Sequence, residues 1–163
     1  MAKSKEEKTN VMRVLEQKKI AYTAHTYPHE EGMAVDGVTV AQSMGFDPAI
    51  VFKTLVARGA SKQYYVFDVP VAENLDLKKA AKAVGEKSIE MIHQKELLPL
   101  TGYVHGGCSP VGMKKLFPTV FHSSAENLAA MIVSAGKIGY QVELAPHDLA
   151  ALVRAKFADI IVE

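Results

Sequence analysis

The spacing of apolar residues along the chain predicts short helices and strands in mixed order. Over residues 5–19, Val11, Met12 and Leu15 fall on one helical face, which predicts an amphipathic helix. From Ile20 to Ala24, apolar and polar positions then alternate, as they do in a half-buried strand. The chain therefore begins, by pattern, with a helix followed by a strand.

Apolar runs and turn residues predict the remaining elements. Further strands are expected at Val51–Arg58, Tyr64–Val69, Ser88–Ile92, Tyr103–His105, Thr119–Phe121, Met131–Val133, Ile138–Leu144 and Ile160–Val162. Helical segments are expected at Thr39–Met44 before Gly45, at 77–84, at Lys95–Leu98 before Pro99, and at 147–155 after Pro146. For the helix at 77–84, Asp76 is the expected N-cap and Gly85 the expected end, and its predicted buried stripe is Leu77, Ala80, Ala81 and Val84. Strands and helices in this mixed order predict an α+β fold with a mixed or antiparallel sheet.

Lys53 interrupts the apolar pattern of the strongest predicted strand. Val51 and Leu55 share its face, and Phe52 and Val56 lie on the other, as in a strand covered on both sides. Burial lowers the pKa of a lysine unless an anion holds the proton. Either the ammonium reaches water from the strand end, or it is directed at a carbonyl, phosphate or carboxylate.

Two glycine-rich segments and one acidic residue are the other candidates. The run Gly106-Gly107-Cys108-Ser109-Pro110-Val111-Gly112 could hold backbone amides around an anion or form only a tight turn. Met113-Lys114 follows it, so the run is not a nucleoside triphosphate-binding loop. Ser134 to Gly139 indicates a hairpin turn with a hydroxyl and free amides. Asp148 lies in the first turn of the last predicted helix, where a carboxylate also suits the helix dipole.

Composition limits the classes of function that fit. The 163 residues are 48% hydrophobic and 23% charged with a net charge of +1, so one domain spanning 1–163 is predicted. The charge does not indicate a long nucleic-acid interface. No apolar run is long enough for a membrane span, the charged N-terminus does not resemble a secretory signal, and the single cysteine fits a reducing compartment, so a cytoplasmic location without membrane contact is expected.

Conventional catalytic motifs are missing from the sequence. There is no H-E-x-x-H motif, no cysteine cluster and no G-x-S-x-G elbow, so neither a metal nor a cofactor is expected. Cys108 has no base next to it in the sequence, which leaves a cysteine nucleophile without support. The residues predict a binding pocket that lacks a conventional nucleophile.

Six segments, taken in order, resemble the YbaK/EbsC family of aminoacyl-tRNA deacylases, and most closely its Cys-tRNA(Pro) branch. They are His25-Thr26-Tyr27, Val51 to Val56, Leu75 to Ala81, Gly106 to Gly112, Ser134 to Gly139 and Ala145 to Leu149. The resemblance runs from about Val11 to Glu163. It implies a barrel-like mixed sheet surrounded by helices, and a substrate that is the acceptor end of a mischarged aminoacyl-tRNA.

The resemblance also implies roles for individual residues. Those implied in catalysis are Lys53, Gly106, Tyr27 and Asp148, and those implied in substrate binding are Thr54, Gly107, Ser109, Pro110, Ser134 and Gly136. The stretch Glu30–Gly37 receives no role. Attack on the ester by the substrate's own thiol or ribose hydroxyl would explain why no enzyme nucleophile is needed.

Two alternatives to the cysteine-specific deacylase remain open at this stage. One is a deacylase for another small amino acid such as alanine, because the sequence does not fix the volume of the pocket. The other is a non-catalytic adaptor that binds the tRNA acceptor end or prolyl-tRNA synthetase. Prolyl-tRNA synthetase is also a candidate partner for the deacylase itself.

Overall fold

In the computed structural model, which describes residues 8–30 and 32–163, short helices and strands alternate along the chain. The α-helices of the described part are α1 (Asn10–Gln17), α2 (Gly37–Met44), α3 (Leu77–Val84), α4 (Gln94–Thr101) and α5 (Pro146–Val153). The strands are β1 (Thr23–Thr26), β2 (Phe52–Gly59), β3 (Tyr64–Pro70), β4 (Ile89–Met91), β5 (Thr119–His122), β6 (Met131–Ser134), β7 (Tyr140–Leu144) and β8 (Lys156–Ala158). The predicted α+β class is confirmed.

The described strands form two sheets. The larger has the order β4-β2-β3-β5-β8, with antiparallel pairing around β2 and parallel pairing of β5 with β3 and β8. The smaller is antiparallel with the order β1-β7-β6. A single parallel bridge between Val51 and Ile132 connects them. Within the described residues the sheets approach each other at this bridge without closing into one barrel.

Alternation along the central strands divides the interior into two large clusters. Phe52 and Val56 of β2 lie in the main core with residues of α1, α5 and the smaller sheet. Ala57 and Phe67 point the other way and pack against α3. Because successive side chains of a strand point to opposite faces, β2 and β3 are covered on both sides, as the apolar pattern predicted.

Local signals set the ends of several helices as predicted. The side chain of Asp76 accepts from the amides of Lys78 and Lys79 at the start of α3. Gly85 ends that helix with φ of 76°, and Gly45 ends α2 with φ of 79°. These left-handed conformations favour glycine because it has no Cβ.

Several predicted elements differ in the structure. Tyr103–His105 is not a strand, because the segment leaves α4 through Gly102 (φ 88°) and the Tyr103 hydroxyl donates to the Val111 carbonyl. Ile160–Val162 forms only one bridge, between Ile161 and Leu75, and the paired strand is β8. Residues 5–7 of the first predicted helix lie outside the described residues.

Two further details of the helices were predicted wrongly. Helix α4 continues through Pro99 to Thr101, where the Thr101 hydroxyl donates to the Leu97 carbonyl and the Gly102 amide to the Leu98 carbonyl. Leu77 is 41% exposed rather than part of the buried stripe, since it is the first residue of α3.

No helix in the described ranges is both long and apolar enough to cross a membrane.

Candidate active site

A cleft of about 360 Å³ opens beside the edge of β2. Strand β4 pairs with β2 only at residues 57–59, so it does not cover the edge at residues 52–55. All four residues from Phe52 to Leu55 line the cleft. This part of β2, at the edge that β4 leaves uncovered, therefore forms one wall of the cleft.

Three loops and the smaller sheet complete the walls. Tyr27 follows β1, Gly106 lies in the glycine-rich loop, and Ser134 ends β6. Tyr27 is 5% exposed, and burial raises the pKa of its phenol. The structure therefore brings Tyr27, Gly106 and Ser134 together with Lys53 and Thr54, five of the residues that the family resemblance singled out.

Lys53 is half-buried at the cleft and makes no salt bridge with the described residues. Burial lowers the pKa of its ammonium, and the carboxylates of Asp36 and Glu73 oppose that shift. Neither acid holds the ammonium in a direct ion pair. Lys53 is therefore a cation available to an anionic or carbonyl oxygen in the cleft.

Thr54 rests on a buried carboxyl group. The two residues lie opposite each other on β2 and β3, and the Thr54 hydroxyl donates to Oδ1 of Asp68 at 2.5 Å. Asp68 is fully buried, and its Oδ2 has no hydrogen-bond partner among the described residues. Burial raises the pKa of Asp68 to about 7, and the Thr54 hydrogen bond opposes this.

Cys108 lines the cleft but lacks the properties of a nucleophile. Burial raises the pKa of its thiol to about 12, and the nearby Asp68 charge adds to the shift. The thiolate is the reactive form, and at neutral pH almost none would exist here. This supports the interpretation that Cys108 is a small apolar wall residue.

The glycine-rich loop offers backbone donors. The amides of Gly106 and Cys108 donate to no acceptor within the described part of the chain, whereas the Gly107 amide donates to the Val104 carbonyl at 3.0 Å. Gly106 has φ of 91°, and a Cβ there would lie 2.8 Å from the Cβ of Ala34. Glycine is thus required both by conformation and by the close approach of a neighbouring loop.

Four residues of the two glycine-rich segments that were expected at the site do not line the cleft. Gly107, Ser109 and Pro110 are buried in the loop, where the Ser109 hydroxyl accepts from the Val111 amide at 3.2 Å. Gly136 has φ of 96° and packs against Tyr103. They shape the loop and the turn beside the cleft.

Asp148 is placed away from the cleft. It is exposed in the first turn of α5 and borders a separate, shallow surface depression with Lys18 and Arg154. It does not share a wall with Lys53, so a direct role on the same substrate does not follow from this placement. Its position is the one that the helix dipole favours.

The structure adds cleft residues that the sequence did not indicate. Asp36 and Gly37, at the start of α2, lie in the wall although the stretch Glu30–Gly37 had received no role. Gln141 lies opposite Ser134 on β7 and also lines the cleft, and its buried Oε1 has no hydrogen-bond partner in the described part of the chain. Only the pairing of β6 with β7 brings Gln141 to Ser134, so no local pattern could have identified it.

The described residues contain no group of three or more histidine, cysteine or acidic side chains arranged to hold a metal ion. The polar groups of the cleft are instead the Lys53 ammonium, three hydroxyls, backbone amides and the side chains of Asp36, His105 and Gln141, with the Asp68 carboxyl buried beneath Thr54. Such a set can bind and polarise a carbonyl or phosphate oxygen.

Comparison with known proteins shows similarity along nearly the whole chain. Residues 29–152 match the aminoacyl-tRNA editing domain. The chain is 46% identical over 161 residues, 98% of each chain, to EbsC of Enterococcus faecalis, whose proposed activity is that of a Cys-tRNA(Pro)/Cys-tRNA(Cys) deacylase.

Two solved structures have a similar fold. One is described as a proposed trans-editing enzyme for prolyl-tRNA synthetase; it is 25% identical with a TM-score of 0.79 and covers 94% of this chain and 95% of its own. The other, hypothetical protein APE2540, is 18% identical with a TM-score of 0.82 and covers 93% and 99%.

Proposed function

The chain belongs to the aminoacyl-tRNA editing domain family, and from this premise we propose that it hydrolyses the aminoacyl ester of mischarged tRNA, with cysteine on tRNA(Pro) as its main substrate. The observation that carries the proposal is the Lys53 ammonium, which has no ion-pair partner among the described residues, in a small cleft lined by loop residues whose amides have no acceptor there either. These are groups that can bind an ester or phosphate oxygen.

The cleft supports attack by the substrate rather than by the protein. The Cys108 thiol is protonated at neutral pH, and the Ser134 hydroxyl accepts from the Gly136 amide without a histidine partner among the described residues. A bound cysteine ester carries its own thiol next to the carbonyl. The lack of an activated enzyme nucleophile is therefore no obstacle to hydrolysis.

In the proposed reaction, the thiol sulfur of the substrate bonds to the ester carbonyl carbon. The ester C–O bond breaks, and the thiol proton passes to the departing ribose oxygen, so that tRNA leaves and water opens the resulting thiolactone. Attack by the neighbouring ribose hydroxyl alone would only move the ester to another oxygen of the same ribose. The thiol is accordingly the favoured nucleophile for release of cysteine.

The residues have separate tasks in this scheme. The Gly106 amide, with that of Cys108, would stabilise the negative oxygen of the tetrahedral intermediate, because fixed donors in a water-poor site act there without reorganisation. Lys53 would bind the ester oxygen or the terminal phosphate. Tyr27 and Ser134 would form the sides of the pocket around the amino acid.

Prolyl-tRNA synthetase is a proposed partner. One structural relative is described as a trans-editing enzyme for that synthetase. The net charge of +1 indicates little electrostatic affinity for tRNA as a whole. A partner that already holds the tRNA would supply that affinity.

The proposed function predicts that Lys53→Ala abolishes release of cysteine from pre-charged Cys-tRNA(Pro). We expect kcat/KM to fall by about 100-fold or more, as when one group that stabilises the transition state is removed. The native protein should release cysteine faster than it releases alanine from Ala-tRNA(Pro), and should leave Pro-tRNA(Pro) intact. Release of cysteine from Cys-tRNA(Cys), measured in parallel, tests whether the tRNA contributes to substrate specificity.

Lys82→Ala is the matched control, because Lys82 is an exposed lysine of α3 that does not line the cleft. It should retain native rates. Equal rates for Lys53→Ala and the native protein would contradict the proposal. Failure of the native protein to release any amino acid would favour the binding adaptor instead.

A further inference from the structure

We propose that Asp68 positions the Thr54 hydroxyl so that the cleft binds the α-ammonium group of the aminoacyl ester. This inference rests on the proposed function and extends it to the group that recognises the amino acid. Asp68 is a positioning residue, because Thr54 lines the cleft and Asp68 lies beneath it.

The Thr54 hydroxyl has a single proton. That proton is donated to Oδ1 of Asp68 at 2.5 Å, so only the lone pairs of Thr54 Oγ1 remain for a ligand. Thr54 is half-buried in the cleft wall, and while Asp68 is ionised it can act there only as an acceptor. Its ligand must be a hydrogen-bond donor.

This requirement selects among the groups of an aminoacyl ester. The ester carbonyl, the ribose ring oxygen and the phosphate oxygens only accept hydrogen bonds, so they do not fit Thr54. The α-ammonium offers three charged donors, whereas the free ribose hydroxyl offers one neutral donor and the thiol one weak donor. The ammonium is the stronger match.

The charge beneath Thr54 favours the same group. Asp68 is fully buried, its Oδ2 has no hydrogen-bond partner, and it forms no salt bridge with a basic side chain of the described residues. Burial of this isolated group raises the pKa of Asp68 to about 7. An ammonium held by Thr54 would lie one hydroxyl away from the carboxylate and supply the missing positive charge.

A purely structural Thr54–Asp68 pair across β2 and β3 is the competing explanation, since cross-strand polar pairs help to fix register. The two explanations differ in what they predict for ligands. A structural pair would affect all ligands of the cleft alike, whereas a pair that receives the ammonium would affect only those with a free amine.

The test uses two hydrolysis-resistant probes, the 3′-amide of cysteinyl-adenosine with a free amine and the same compound N-acetylated. Binding is measured by calorimetry, so the result does not depend on turnover. The native protein should bind the free-amine probe about tenfold more tightly or better, the value of one hydrogen bond to a charged group. In Thr54→Val and Asp68→Asn, that ratio should fall to near one.

Matched variants separate recognition from loss of structure. Thr54→Ser keeps the hydroxyl and should keep the ratio. Thr119→Val removes another buried hydroxyl of the same sheet, which donates to the Phe117 carbonyl, and should also keep it. If Asp68→Asn does not fold, Thr54→Val and Thr54→Ser still decide the question.

The outcomes distinguish this inference from the proposed function. Native protein that shows no preference between the probes, or variants that keep the native ratio, would overturn the role of Asp68 and Thr54. A preference that the variants lose supports it. Should the native protein show that preference yet release no amino acid from any charged tRNA, the deacylase proposal fails while ammonium recognition stands.

Discussion

At the scale of single residues, the site is defined by ionisable groups held where their charges are poorly solvated. Burial lowers the pKa of Lys53 and raises that of Asp68, and neither has an ion-pair partner among the described residues. If these side chains served only to stabilise the fold, we would expect each to have an ion-pair partner or an uncharged residue in its place, since an isolated buried charge costs free energy. Their placement at or beneath one cleft points to a ligand.

Asp68→Asn should change the pH dependence of stability. The folded-state pKa of about 7 exceeds the ordinary 3.8, so the folded protein binds more protons than the unfolded chain between these values. The native protein should therefore lose stability as the pH rises from about 4 to about 7, by about 4 kcal/mol from this group. Urea unfolding of both proteins across that range measures the difference.

Asp159→Asn is a control for which the pH dependence of stability should change in the opposite direction. Its hydrogen bond with Lys79 lowers the pKa of Asp159, so its contribution to stability is lost as the pH falls. Parallel pH profiles for the native protein and Asp68→Asn would show that Asp68 keeps its ordinary pKa.

At the scale of elements, the cleft depends on loops that approach each other closely at glycines. Gly106 meets Ala34 of the 32–36 loop, and Gly107 lies against the backbone of Lys137 and Ile138. Each approach leaves no room for a Cβ without displacement of a neighbour. The walls of the cleft are thus positioned by backbone contacts more than by side-chain packing.

Gly106→Ala should destabilise the protein by about 1–3 kcal/mol and impair the site. The new Cβ would adopt an unfavourable φ of 91° and lie 2.8 Å from the Cβ of Ala34. Gly45→Ala is a matched control: it has φ of 79° but no atom within 4 Å of the new Cβ, so it carries only the conformational cost. Thermal unfolding gives both values.

The double variant Ala34→Gly with Gly106→Ala tests the steric part. It should recover only part of the extra cost of Gly106→Ala over Gly45→Ala, because the Cα of residue 34 would still lie 3.1 Å from the new Cβ. If Gly106→Ala cost no more than Gly45→Ala, the close approach of the two loops would not contribute to stability.

At the scale of the whole molecule, the two sheets share one core. Phe52 of β2, Val133 of β6 and Leu149 of α5 all belong to the main cluster, and the Val51–Ile132 bridge connects the sheets beside the cleft. The larger sheet has a second cluster against α3, whereas the buried apolar residues of β6 and β7 all belong to clusters shared with the larger sheet. The cleft therefore lies between two units that stabilise each other.

This sharing predicts that both sheets unfold in one transition. Hydrogen exchange followed by mass spectrometry in increasing urea should give the same unfolding free energy for peptides from β2–β3 and from β6–β7. Val133→Ala should lower both by a similar amount, because it removes buried volume from the common core. Separate transitions, or an effect confined to β6–β7, would show that the sheets are independent.

The sequence by itself determined most of the elements and the position of the unusual lysine. Apolar spacing located β2 and β3, and Asp76 and Gly85 marked the ends of α3, because these signals act over a few neighbouring residues. The break at Lys53 was visible for the same reason. Family resemblance then pointed to Tyr27, Thr54, Gly106 and Ser134 as neighbours in the cleft.

Only the tertiary structure decided what surrounds those residues. Strand pairing placed Asp68 under Thr54 and Gln141 opposite Ser134, and α2 brought Asp36 into the wall. Asp148, expected at the site, lies on another surface. These relations depend on contacts between residues far apart in the chain, and burial, which sets the charges of the site, is a property of the packed molecule rather than of any local segment.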